Sequence, residues 1–191
     1  MPAYPDLSTI ICAASGPSLT AQDCERVTAL GLPVIAVNNT WQRFPELLAL
    51  YAGDLAWWNI NYQLVPQGRF RCVTASLSAH RKYPFLEYRR YCADKETYNS
   101  GAMAIEYAAE MGAKRILLIG YDCSIRHGLH WHGDHQPGLN NPSEAAPDIW
   151  QNQFLRAKQR LSGVEIINCS RRTELKCFPL KNLELALAPL S

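Results

Sequence analysis

No stretch of this 191-residue sequence approaches the ~20 consecutive apolar residues needed to cross a bilayer, so we expect no membrane span. Nor does a basic segment followed by an apolar run open the chain. Met1-Pro2-Ala3-Tyr4-Pro5-Asp6 gives no sign of a signal peptide, and the expected location is cytoplasmic. Charge of one sign is scarce. A formal net charge of +2 does not make nucleic acid or a membrane surface an obligatory partner. The seven cysteines contain no Cys-x-x-Cys pair, which removes the zinc-ribbon and redox signatures. Cys12, Cys72 and Cys169 fall in or beside apolar runs, where reduced thiols pack as small apolar groups. The chain has neither Gly-x-Gly-x-x-Gly nor the Gly-Lys-Ser/Thr of a Walker loop, which weakens NAD binding and ATP hydrolysis. Internal repeats, low-complexity tracts and linkers are also missing, and the length suits one domain.

What is present is the alternation of short apolar runs with helical patterns that builds a mainly parallel sheet flanked by helices. Strands are expected at residues 9–14, 34–37, 47–52, 70–74, 115–119 and 164–168. Thr20, with Asp23 three residues on, reads as a capping box for a helix ending near Leu30, and Gly31 suits its stop. Further helices are expected at residues 100–111 and 148–161. The expected fold class is therefore α/β, a single Rossmann-like domain. Residues 76–98 are aromatic, basic and poorly periodic, and read as a lid or a helical excursion. Residues 123–147 form a loop that holds four of the five histidines.

Several polar clusters follow strands or open helices. In Ser15-Gly16-Pro17-Ser18, glycine permits close backbone approach, proline stiffens the turn and the serines supply hydroxyls, at a helix start that favours phosphate. An ordinary strand-to-helix turn would use the same residue types. Asn38-Asn39 follows the second strand, Asp54 the third and Asp122 the fifth, while Asn99-Ser100-Gly101 opens a helix. Ligands of open α/β sheets bind outside the carboxyl ends of the strands, so these clusters would share one crevice. Trp41, Trp57, Trp58 and Tyr62 are candidates for stacking a base or sugar, or for the core. Arg171, Arg172 and Lys176 are candidates for neutralising phosphate, or for a solvated loop.

His130-Trp131-His132-Gly133-Asp134-His135 matches the His-x-His-x-Asp-His string of metallo-β-lactamase-type hydrolases. Those enzymes need histidine ligands further along, and this chain has none after His135. A single metal on His127, His130, His132 or His135, or a polar loop without catalytic role, fits the same residues. The preferred reading is one histidine acting as general base on a hydroxyl, with His132 and His135 the leading candidates and no metal.

The chain also resembles known groups. Ala14-Ser15-Gly16-Pro17-Ser18-Leu19 is similar to the Gly-x-Gly-Pro-Ser-Leu opening of bacterial family forty-two sialyltransferases. The same turn occurs in hydroxymethylpterin diphosphokinase-like proteins. Asn99-Ser100-Gly101-Ala102-Met103, Gly112-Ala113-Lys114-Arg115-Ile116 and Gly120-Tyr121-Asp122 resemble the second block of that family, and Asn38 or Asn39 its asparagine after the second strand. The whole arrangement is similar to uncharacterised proteins of tailed phages and prophages, which would place it in a bacterial or phage-infected cell. The sialyltransferase likeness implies a nucleotide-sugar donor of CMP-sugar type, bound by the Ser15 turn, Asn38 or Asn39, and Ser100-Gly101. It also implies a sugar-bearing acceptor deprotonated by a loop histidine, and inversion without a cofactor. The chain has no Asp-x-Asp metal motif. In the family's pattern, tyrosines steady the leaving phosphate. Tyr88, Tyr91 and Tyr98 are available here without a basis for choosing among them. The pterin likeness implies instead pyrophosphate transfer from ATP with magnesium on Asp54 and Asp122. A phage accessory or morphogenesis protein that keeps the fold as a binding module is the non-enzymatic alternative.

Overall fold

Apolar strands buried on both faces dictate the architecture. In a computed structural model, which describes residues 4–93 and 99–188, the runs TIICA and RILLI become β1 (Thr9–Ala13) and β6 (Arg115–Ile119). They pair in parallel in the interior of the sheet, with Thr9 opposite Arg115 and Ala13 opposite Ile119. Continuous apolar sequence is what a central parallel strand needs, because helices cover both of its faces.

β2 (Val34–Val37), β3 (Ala49–Tyr51), β4 (Arg71–Thr74) and β5 (Glu87–Tyr88) extend the sheet on one side of β1. β7 (Glu165–Asn168) extends it beyond β6. The order is β5-β4-β3-β2-β1-β6-β7, with every pairing parallel. The direction of winding reverses between β1 and β6, which opens a crevice at their carboxyl ends.

Among the described residues, α1 (Ala21–Ala29), α2 (Leu55–Asn61), α3 (Leu77–Lys82) and α6 (Leu183–Leu187) pack on one face. α4 (Ser100–Glu110) and α5 (Ala146–Arg160) cover the other. The expected capping box forms: Thr20 accepts from the Asp23 amide, and Asp23 accepts from Thr20. α4 is buried continuously from Ser100 to Ala108, and its small residues Gly101, Ala102, Ala104 and Ala108 let it lie close against the sheet. Trp57 and Trp58 are core residues. The Trp58 indole donates to the Ala52 carbonyl (2.8 Å), so a large apolar group is buried with its one polar atom satisfied.

The differences from expectation are local. Only three residues of the third apolar run pair as β3, because the chain still bends at Leu48. α5 starts two residues early, with Pro147 in its first turn, where the missing N–H costs nothing. Within residues 76–98 the described part contains α3 and the edge strand β5 at the far end of the sheet from β7. Residues 94–98, with Tyr98, lie outside the described residues.

Candidate functional site

β1 delivers the chain into a turn that is locked from below. The Ala14 amide donates to the Ile119 carbonyl and the Gly16 amide to the Gly120 carbonyl, both at 2.9 Å. A Cβ on Gly16 would meet that carbonyl at 2.5 Å and also run into the Asp122 carboxylate. A Cβ on Gly120, at φ +70°, would meet the Ala14 carbonyl equally closely. Two backbones meet at the switch point with no room for side chains. Asp122, 5 % exposed, ties the turn down by accepting from the Ser18 amide (2.9 Å) and hydroxyl (2.5 Å). Burial still leaves its carboxyl above the ordinary range.

The neighbouring strand ends complete the rim. Asn38 has φ +49°, a left-handed conformation that asparagine tolerates, and its side-chain oxygen is buried without a partner. Asn39 turns the other way and accepts from the Trp57 indole (2.8 Å). Asp54 sits at the start of α2 with no side-chain capping bond. Ser100 Oγ accepts from the Gly53 amide (2.9 Å), joining the loop after β3 to the start of α4. Asn99 caps α4 through the Ala102 amide, and its own amide and side-chain nitrogen both reach Gln153 Oε1 at 2.9 Å.

The histidine loop closes over this edge. The Trp131 amide donates to the Ser15 carbonyl (2.9 Å), its indole donates to Thr40 Oγ1 (3.2 Å), and the Arg43 guanidinium lies 3.9 Å above its ring centre. The Ser15 hydroxyl lies 3.1 Å from His130 Nδ1. Burial, with His135 and His132 close by, pushes His130 down to about 3. Burial and neighbouring His135 lower His132, and burial lowers His135. All three imidazoles are therefore neutral at neutral pH.

The result is a cleft of about 380 Å³. Ser15, Gly16, Asn38, Asp54, Asn99, Ser100, Gly101 and Asp122 line it, together with His130 and His135. Its size falls in the range of small-molecule sites. Among the strand-end clusters and the two candidate bases, Pro17, Ser18, Asn39 and His132 are absent from this lining, as are the aromatic candidates Trp41, Trp57, Trp58 and Tyr62 and the basic candidates Arg171, Arg172 and Lys176. Ser18 instead braces Asp122, which does line it, and Asn39 is turned to the core residue Trp57. Pro17 borders a small hollow beside Arg172, and His132 stacks on His130 with ring centres 5.0 Å apart. Arg171 pairs with Asp23 (2.9 Å), and Tyr62 stacks on Tyr83. The wall contributed by α5, Trp150, Gln153 and Phe154, was not anticipated as part of a site. Its three residues occupy one helical face by their i, i+3, i+4 spacing, which was the available signal.

The doubly wound sheet with its cleft at the β1/β6 switch point decides the architecture. The fold is Rossmann-like. Among solved structures, the chain is similar to the MAf glycosyltransferase of Magnetospirillum magneticum AMB-1, with a TM-score of 0.63 and 14 % identity. That likeness covers 93 % of this chain but 34 % of the glycosyltransferase, so the chain spans about a third of its neighbour's length. At this identity the likeness concerns the fold alone. A UDP-glucose 4-epimerase of Thermotoga maritima, solved with UDP-glucose, aligns at a TM-score of 0.35 and 14 % identity over 83 % of this chain and 54 % of its own. That score is too low to bear on function. No protein-family model matches the chain, and no curated protein matches it. No helix among the described residues is long and apolar enough to cross a membrane.

Proposed function

We propose that this chain is a nucleotide-dependent transferase, namely a metal-independent, inverting glycosyltransferase that uses a nucleotide sugar of the CMP-sugar type. The observation that carries this reading is the convergence, in one cleft at the switch point, of the Ser15-Gly16 turn, Asn38, the start of α4 and two imidazoles. The donor's phosphate would lie against the turn and the first residues of α4, where amides and hydroxyls favour an anion. An acceptor hydroxyl attacks the anomeric carbon as the bond from that carbon to the phosphate oxygen breaks, and the electron pair leaves with the nucleotide. The hydroxyl proton passes to a neutral imidazole. His132 and His135 are the candidates for this base, and His135 is the one that lines the cleft. Support comes from the resemblance of the Ser15 turn and the Asn99–Met103 block to sialyltransferases, and from a structural neighbour that is itself a glycosyltransferase.

Thermal unfolding against CMP, CMP-sugars, UDP- and GDP-sugars, ATP with magnesium, and zinc tests the reading on one preparation. A ligand at 100 times its Kd adds about 2.7 kcal/mol, which raises Tm by roughly 5–10 °C for a chain of this size. A rise with CMP or a sugar nucleotide in the absence of metal is the expected result. A rise confined to ATP with magnesium would favour pyrophosphate transfer through Asp54 and Asp122. Silence toward every nucleotide would leave the fold as a non-catalytic binding module and sink both enzymatic readings.

A further inference from the structure

At the histidine edge of the strand-end cleft lies a group of buried nitrogens, two of them on His130 and His135 of its lining, whose bonding the cleft residues leave unexplained. His130 Nε2, His132 Nε2, His135 Nδ1 and Arg43 Nε are all shielded from solvent and have no hydrogen-bond partner. The three rings form one cluster, with centres 5.0 Å apart for His130 and His132, 4.3 Å for His130 and His135, and 5.8 Å for His132 and His135. Arg43 joins from the turn after β2, stacked on Trp131 and near enough to act on His132. A polar nitrogen shielded from water and left unpaired is destabilising, so four together point to a missing partner.

That partner must bring acceptors. Arginine Nε is a donor under all conditions and ligates no metal, and its fixed positive charge opposes a cation beside it. No three His, Cys, Asp or Glu side chains among the described residues are arranged to hold a metal ion. Asp134, the carboxylate that acts on His135, is exposed to water, and on the adjoining cleft Asp122 is already bonded to Ser18 while Asp54 is exposed. Neutral imidazoles offer one N–H each. A dianion among them favours protonation of a ring that it touches, and the closeness of the rings opposes a second protonation, so an imidazole stays neutral to serve as the base.

We propose that His130, His132, His135 and Arg43 form an oxyanion subsite that takes a phosphoryl group of the substrate, adjoining the Ser15 turn through the contact between Ser15 and His130. This subsite would bind an oxyanion whether or not a sugar is transferred. Two sources supply the same chemistry, a nucleotide phosphate or the phosphate of a phosphorylated acceptor.

Histidine side-chain NMR of the full chain, titrated with sulfate, tests this. Sulfate stays a dianion across the accessible pH range and matches phosphate in shape. The resonances of His130, His132 and His135 are expected to move together, while those of His80, whose Nδ1 is engaged by the Leu86 carbonyl, stay fixed. The apparent sulfate Kd should fall severalfold between pH 8 and pH 6, because binding takes up protons when the bound imidazoles have the higher pKa. Arg43→Met, which keeps the packing on Trp131, should weaken sulfate about tenfold or more. Displacement of sulfate by CMP identifies the donor phosphate as the occupant. Displacement by glucose 6-phosphate but not CMP identifies the acceptor, and would sink the donor assignment while leaving the subsite standing. Sulfate that neither compound displaces is an adventitious ion only, and overturns the proposal. Equal movement of all five histidines, or a response to zinc with none to sulfate, overturns it as well.

Discussion

At the scale of single residues, the decisive quantity is space at the switch point. Gly16 was legible as a permissive turn residue, but its reason here is contact rather than dihedral freedom. Its α-carbon faces the Gly120 carbonyl and the Asp122 carboxylate at distances that exclude a methyl group. Gly16→Ala must push the Ser15 turn away from β6 and loosen the Ser18–Asp122 bonds. The expected cost is about 1–3 kcal/mol in urea unfolding, and nucleotide binding should fall with it. A variant as stable as the parent would show that the turn can shift without penalty. The choice between Asn38 and Asn39 was not legible. It depends on the left-handed backbone at Asn38, which aims one side chain at the cleft and sends its neighbour to Trp57. No residue pattern within two adjacent asparagines encodes that choice.

At the scale of elements, α1 and α5 differ in what their sequences disclosed. The capping box of α1 was readable from Thr20 and Asp23, but the partner across the fold was not. Arg171, 148 positions away, also binds the Asp23 carboxylate. Burial works against the charged form of Asp23, but the bonds from Arg171 and Thr20 outweigh it and hold the carboxyl below its usual range. A carboxyl depressed in the folded state gives stability that is present above its unfolded pKa, roughly 3.9, and lost as pH falls through the folded value. Asp23→Asn should therefore destabilise the protein by about 1–2 kcal/mol at pH 7, the usual worth of a helix cap. Its unfolding curve should converge on that of the parent in acid. A gap that persists unchanged at low pH would assign the loss to shape rather than charge.

α5 was readable as a helix but not as a wall of the site, because its amphipathic pattern serves two surfaces at once. Phe154 packs on Tyr121 with ring centres 5.7 Å apart, and Trp150 on the same face borders the cleft. Trp150 lines the cleft and, under the proposed function, would stack the base or sugar, whereas Trp57 and Trp58, expected to stack or pack, lie in the core. Trp150→Ala should weaken CMP binding roughly tenfold, within the ~1–3 kcal/mol that base–aromatic stacking contributes. Calorimetry of both proteins would measure it, and unchanged affinity would move the base elsewhere in the cleft.

At the scale of the whole molecule, the two rims of the sheet carry different chemistry, and the polar carboxyl rim was the part legible in the sequence. Left-handed glycines precede four of the strands, Gly31 before β2, Gly68 before β4, Gly112 before β6 and Gly163 before β7, although Gly120 is left-handed at the opposite rim. Polar residues mark the rim where strands end, after β1, β2, β3 and β6. Apolar runs fixed six strands in advance, and only β5 escaped, because two residues between turns carry no period. A ligand held at the carboxyl rim touches segments far apart in sequence and should protect them together. Hydrogen exchange with saturating CMP should slow amides at residues 14–19, 38–39, 53–54, 99–102 and 129–135 as one group. The exposed turns at Gly31, Gly68, Gly112 and Gly163 open by local fluctuation, so a ligand bound across the sheet leaves them exchanging as before. Protection of one carboxyl-rim segment alone would mean an isolated loop contact. Equal slowing at both rims would mean that the ligand stabilises the fold from somewhere other than the switch point.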